Sequence, residues 1–149
     1  MNEKEFLDQC FSNKLHGVPD TISSLRNVVD DITYMLTTPS LISITREDIK
    51  EITDASKHLL GISAEAKGRY RAEMVGNELV SHYSSAFSTK ADSAIFNVIG
   101  SSDLTLYEVN EIAEQIYRVV HPKANIIFSA IIDDNKKDYI KTTVILGNN

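Results

Sequence analysis

Between two apolar runs, Ala94 to Ile99 and Asn125 to Ile132, the chain carries one amphipathic stripe of helical period. That alternation constrains the fold more than any other feature. Leu106, Val109, Ile112, Ala113, Ile116, Val119 and Val120 recur at three- and four-residue steps, which places them on one helix face. Thr105 and Glu108 have capping-box spacing at its start, and His121-Pro122 predicts its end. In the first run, Ala94, Phe96 and Val98 alternate with Ile95, Asn97 and Ile99, the period of a strand. The second run is almost continuously apolar and predicts a central strand buried on both faces. A helix between two strands implies a crossover. The polar segment Asp133 to Asp138 then predicts a hairpin turn into a closing strand, Tyr139 to Leu146.

Upstream, Ile22, Leu25, Val28, Val29, Ile32, Met35 and Leu36 share a stripe after Pro19-Asp20. They predict a long helix over about 19–38, ended by Pro39. Thr45, followed by Arg46, Glu47 and Asp48, predicts a capped second helix running to about Lys57. His58 to Ile62 reads as a strand, and Ala66 to Tyr83 as a helix with Ala72, Val75, Leu79, Val80 and Tyr83 inward. Residues 1–18, with Phe6, Leu7, Phe11 and Leu15, form one helix or a loose arm. The expected fold is α+β, a two-layer sandwich in the order helix-helix-β-α-β-α-β-β. A four-stranded mixed sheet carries two helices, with the long helix packed alongside. One domain, 19–149, follows the arm.

A net charge of -6 and a pI near 5.1 argue against a nucleic-acid partner and against docking on an anionic membrane. No apolar run is long enough to span a bilayer, and the first five residues are polar and acidic. Cys10 is the single cysteine, so no internal disulfide is expected and a cytoplasmic setting follows. His16, His58, His82 and His121 share no metal-ligand spacing with one another or with Cys10, so neither a metal nor a cofactor is expected. No nucleophile–base pair is legible, so no catalytic residue is assigned. Lys67, Arg69 and Arg71 read as a solvated basic helix start, and Asn97 as a strand-end partner of the neighbouring turn.

Several local strings, in order, resemble the FtsZ/tubulin family. Asn97-Val98-Ile99-Gly100 leading through Ser101-Ser102-Asp103 into Leu104-Thr105-Leu106-Tyr107-Glu108 is similar to that family's Asn-Ile-Thr-Gly strand end and Leu-x-Leu-x-Glu helix start. Thr142 to Gly147 resembles its last strand, Val-Thr-Val-Ile-Ala-Thr-Gly. Lys67 to Ala72 is similar to its Gly-Glu-x-Arg-Ala helix start, and Leu36 to Ile49 to the end of its central helix and the loop beyond. The resemblance covers roughly residues 20–147 and implies the family's C-terminal domain with the central helix before it.

The family holds GTP in a glycine-rich loop of a preceding domain. Here about nineteen residues precede the helix, and a phosphate-cradling strand–loop–helix unit needs about thirty. Without that domain, part of the long helix's stripe stands to be uncovered. The resemblance also implies a loop, Asn-x-Asp-x-x-Asp, that enters the next subunit's nucleotide site and orients the attacking water. The matching positions are Ser43, Thr45 and Asp48, with Arg46 and Glu47 among them. Two of the three groups have changed, so binding is expected rather than turnover. These five residues are the candidate interface for a protein partner, FtsZ or a related filament, which the chain would cap or modulate as a non-enzyme. The family's flexible tail is expected to be absent. A self-associating domain is one alternative. A chorismate-mutase-like enzyme is another, with inter-subunit sites built from Arg69 or Arg71 and a glutamate.

Overall fold

The computed structural model describes residues 2–11, 14–17, 25–86 and 89–149. In chain order these form α1 (Glu3–Phe11), β1 (Leu15–Gly17), α2 (Leu25–Thr37), α3 (Arg46–Ala55) and β2 (His58–Lys67). Then come α4 (Arg71–Ala86), β3 (Ala91–Gly100), α5 (Leu106–Tyr117), β4 (Val120–Ile132) and β5 (Tyr139–Asn148). The expected start of the long helix, 19–24, lies outside the described residues; its end before Pro39 is as expected.

The strands make one mixed sheet in the order β1-β2-β5-β3-β4. The α+β class, the mixed sheet with two helices on one face and the long helix alongside all match the sequence reading. The sheet gains a fifth strand, β1, which runs parallel to β2. Three residues are too few to show a period, so Leu15–Gly17 was illegible within the arm.

The expected β4–β5 hairpin does not form. β5 lies between β2 and β3, antiparallel to both. It pairs with β2 from His58↔Asn148 to Lys67↔Tyr139, and with β3 from Ser93↔Gly147 to Gly100↔Ile140. The segment Asp133 to Asp138 instead carries the chain over the end of β3, where the Asp133 N–H donates to the Gly100 carbonyl at 2.8 Å. β4 is therefore an edge strand, paired in parallel with β3. Its apolar run reflects side chains packed on the faces, and face burial says nothing about whether a strand's edge is paired.

Other boundaries move for local reasons. β2 continues to Lys67 because β5 pairs with it to that point, and the chain then turns at Gly68, whose φ of +97° favours glycine. α4 thus begins at Arg71 rather than Ala66. α5 ends at Tyr117, and Val119 and Val120 stay buried as the entry to β4, with the Ala91 N–H bonded to the Val119 carbonyl. β3 begins three residues earlier than its apolar run, at Ala91.

Two apolar clusters sit on opposite sheet faces. Ala94, Phe96 and Val98 of β3 meet α4 and α5 through Val75, Leu79, Ile112 and Ile116. Ile95 and Ile99 meet α1, α2 and α3 through Leu7, Phe11, Val28, Ile32, Met35, Ile49 and Ile52. α1 therefore buries Leu7 and Phe11 in the same cluster as the long helix. The uncovered stripe expected on α2 is reduced, among its described residues, to Tyr34 as an exposed large apolar side chain.

Beneath α2 lies a polar network. The Asp31 carboxylate accepts from Lys141 Nζ at 3.1 Å and from Thr143 Oγ1 at 2.7 Å. Asn97, fully buried, donates to the Asp31 carbonyl and accepts from the Thr143 N–H at 3.2 Å. It thus bonds the long helix rather than a turn. Ser63 Oγ lies 2.9 Å from Thr143 Oγ1 and extends the network to β2.

α2 also approaches β2 closely at Gly61, where an added Cβ would stand 2.9 Å from Val28 Cγ1. Valine is stiff at χ1 and cannot swing aside. Gly61→Ala is expected to displace α2 and destabilise the protein by about 1–3 kcal/mol, measured by urea unfolding. A cost below 0.5 kcal/mol would show that α2 is not held at this distance.

Candidate functional site

The loop between α2 and α3 is fixed at both ends and crosses the open edge of β4. The Thr37 hydroxyl donates to the Thr33 carbonyl at 2.9 Å at the end of α2. Ser40 and Ser43 Oγ atoms lie 2.9 Å apart. The Leu41 N–H donates to the Ala130 carbonyl at 2.8 Å, and the Ala130 N–H to the Ile42 carbonyl at 3.3 Å. This makes an isolated antiparallel bridge. Ile42 packs on the cluster under α4 and α5, whereas Ile44 is buried in the cluster under α1–α3. The loop thus straddles the sheet edge and leaves Leu41 64% exposed.

Each predicted interface residue can now be placed. Thr45 caps α3 as expected: its hydroxyl accepts from the Asp48 N–H at 3.2 Å, and Asp48 Oδ2 accepts from the Thr45 N–H at 3.0 Å. Arg46 turns away from the loop tip towards α1. Its Nε and Nη2 donate to the two Glu3 oxygens at 2.7 and 2.5 Å, and its guanidinium lies over the Phe6 ring at 5.2 Å. That pairing lowers the Glu3 carboxyl below its ordinary value. Ser43 and Glu47 are exposed. The five residues lie within positions 43–48, but Thr45, Arg46 and Asp48 are engaged in holding α3 and α1, and Ser43 and Glu47 face solvent.

A second cluster was read differently in the sequence. Arg71 is not part of a solvated basic face: it is 4% exposed. Its Nε and Nη2 donate to the Glu108 carboxylate at 2.7 and 2.9 Å. Its Nη1 reaches Ser101 Oγ and Asp103 Oδ1, both at 3.1 Å. This fork ties the start of α4 to the loop and first turn of α5. Thr105 and Glu108 still make the expected capping box, so Glu108 serves both helices. The hydrogen bond from Arg71 holds the Glu108 carboxyl below its ordinary range, against desolvation. The Asp103 carboxyl is lowered by Ser101 and then by Arg71. An arginine–glutamate pair needed by the inter-subunit enzyme reading is, at Arg71, closed within one chain.

Beside this latch, Leu106 and Tyr107 are 73% and 77% exposed at the start of α5. Leu106 was expected inside the helix stripe. α5 begins just beyond the C-terminal end of β3, and β4 runs parallel to β3, so this turn and the Leu41–Ile42 crossing share one end of the sheet. Among the described residues no group of three or more histidine, cysteine or acidic side chains forms a metal cluster, and no helix is long and apolar enough to cross a membrane.

The family model described as "FtsZ family, C-terminal domain" matches residues 56–148. The chain belongs to the FtsZ family. Its fold is that of solved FtsZ structures: an empty FtsZ dimer from M. jannaschii aligns with a TM-score of 0.72 at 21% identity, over 97% of this chain and 43% of that one. A point variant of M. jannaschii FtsZ gives 0.73 at 20% identity, over 97% and 45%. TubZ from Bacillus thuringiensis serovar israelensis, in GDP-form protofilaments, gives 0.56 at 12% identity, over 85% and 36%. This FtsZ-family chain therefore spans less than half the length of those relatives.

The latch sets two expectations. Arg71→Met leaves Glu108 partly buried without its partner and should cost about 3 kcal/mol in urea unfolding. Adding Glu108→Gln should recover part of the loss, and a single-variant cost below 1 kcal/mol would show that the fork is not structural. Because the folded carboxyl is lowered, the contribution of Glu108 is complete above its ordinary value of 4.5 and is lost as pH falls through the lower folded value. The urea midpoint of the wild type should fall as pH is lowered below that point, and that of Arg71→Met should fall less. Equal acid slopes would contradict the assignment.

Proposed function

We propose that this FtsZ-family domain binds an FtsZ-type filament through the loop after α2 and modulates or caps its growth without hydrolysing nucleotide. The observation that carries the reading is the fate of the three loop positions matched to the family's water-orienting groups. Ser43 and Thr45 are hydroxyls, and Thr45 and Asp48 are closed into a capping box on α3. A hydroxyl orients a water weakly beside a carboxylate, and the one carboxylate that remains, Asp48, has Oδ2 held by the Thr45 N–H. The loop tip remains available for contact: Leu41, Ser43 and Glu47 are exposed, and Leu106 and Tyr107 lie at the same end of the sheet.

A head-to-tail interface propagates only where both complementary surfaces are present. These 149 residues supply the loop-bearing face and contain no glycine-rich phosphate loop. A subunit limited to these residues, docked on a filament end, would offer no nucleotide face to the next one. Assembly is a property of the similar proteins: one solved relative is an FtsZ dimer and another a TubZ protofilament. A second reading, self-association, rests on the exposed Leu106 and Tyr107, and light scattering on the isolated protein separates it from the first.

The test is sedimentation of FtsZ from the same cell with GTP, with and without this protein, while phosphate release is followed. Sub-stoichiometric protein should change pelleted polymer or turnover. Ser43→Glu and Glu47→Lys, both at exposed positions outside the capping box, should abolish the effect with the fold intact by circular dichroism. No change at equimolar protein in low salt would overturn filament capping.

A further inference from the structure

The four histidines share no ligand spacing along the sequence, yet strand pairing brings two of them together. His16 lies on β1 in register with Leu60, and His58 stands two residues before Leu60 on β2. Side chains alternate across a strand, so both imidazoles project from the face that Leu60 occupies, on adjacent strands. Their ring centroids are 6.3 Å apart and the ring planes are tilted by 41°. Both residues are exposed, and neither ring has a hydrogen bond or ion pair with another described residue.

Imidazole nitrogen binds zinc at about 2.0–2.1 Å, so two rings on one tetrahedral ion have centroids roughly 5 Å apart. The observed separation is about 1 Å wider, a gap that rotation of two exposed side chains about χ1 and χ2 closes. We propose that His16 and His58 form a two-imidazole site for a borderline divalent transition ion, Zn²⁺, Ni²⁺ or Cu²⁺, with water completing the coordination. Imidazole suits these ions, whereas Mg²⁺ and Ca²⁺ require oxygen ligands that this pair lacks. The placement gives the ion a structural consequence. Among the described residues, β1 joins the sheet through Leu15–Gly17, with the Lys14 carbonyl accepting from the Leu59 N–H beside them. An ion shared by His16 and His58 cross-links that short strand, and α1 before it, to β2. Ligand binding of this kind stabilises the folded chain by mass action.

Calorimetry of the full chain with ZnCl₂ or NiCl₂ at pH 7.5 should give one ion per chain. His16→Gln and His58→Gln should each weaken binding at least tenfold, while His82→Gln and Cys10→Ser leave it unchanged. Pulsed electron paramagnetic resonance of bound Cu²⁺ should count two imidazoles in the wild type and one in either single variant. Amide exchange at residues 15–17 should slow on addition of Zn²⁺ in the wild type alone. The proposal is overturned if the His16→Gln/His58→Gln double variant binds as tightly as the wild type, if the loss follows Cys10 or His82, or if only one imidazole is counted.

Discussion

The seating of α2 on the sheet rests on a polar contact in a place where an apolar one would be simpler. Asp31 meets Lys141 and Thr143, and Asn97 joins the Asp31 backbone to the Thr143 N–H. Buried polar groups cost free energy when unpaired, so rotating or lifting α2 away from these partners would be penalised. Gly61 adds a close approach that fixes the distance. Because α2 leads directly into the candidate loop, its seating decides where Leu41 and Ile42 cross β4, and so which side chains the loop presents.

The helices were the legible part of the sequence. α5 announced itself through its stripe and its Thr105–Glu108 box, and α3 through Thr45 and Asp48, because capping and periodicity are local. Strand order was not legible. β5 lies between two strands that precede it by some forty to eighty residues, and nothing in its own composition names its neighbours. The apolar run of β4 had two explanations, central position or covered faces, and the sequence pattern does not distinguish them. For the site, the proposed interface residues Ser43 and Thr45 to Asp48 come from one short stretch of sequence at the start of α3. Their internal division was not legible: Arg46 pairs with a glutamate forty-three positions away, which only the packing of α1 on α3 brings near.

Arg71 shows the same limit from the other side. As part of Lys67, Arg69 and Arg71 it reads as one of three solvated cations. Its neighbours Arg69 and Lys67 are exposed, while Arg71 is taken inward because α4 begins there and its first turn faces α5. The guanidinium fork matches a carboxylate in two bonds and leaves a nitrogen for Ser101 and Asp103. A lysine would supply the charge without the fork. The latch keeps two parallel helices in step at the end of the sheet where Leu106 and Tyr107 are displayed.

The position of β5 has a consequence for how the protein is made. All pairing between the β1-β2 half of the sheet and the β3-β4 half passes through residues 139–148. During synthesis the two halves emerge from the ribosome with facing edges of β2 and β3 both open, and the central strand is the last of the five to appear. Until β5 pairs, the edges of β2 and β3 that it covers lack their ladder partner. Unpaired strand edges are templates for any extended segment, so the last strand made is also the one that closes the sheet against foreign pairing.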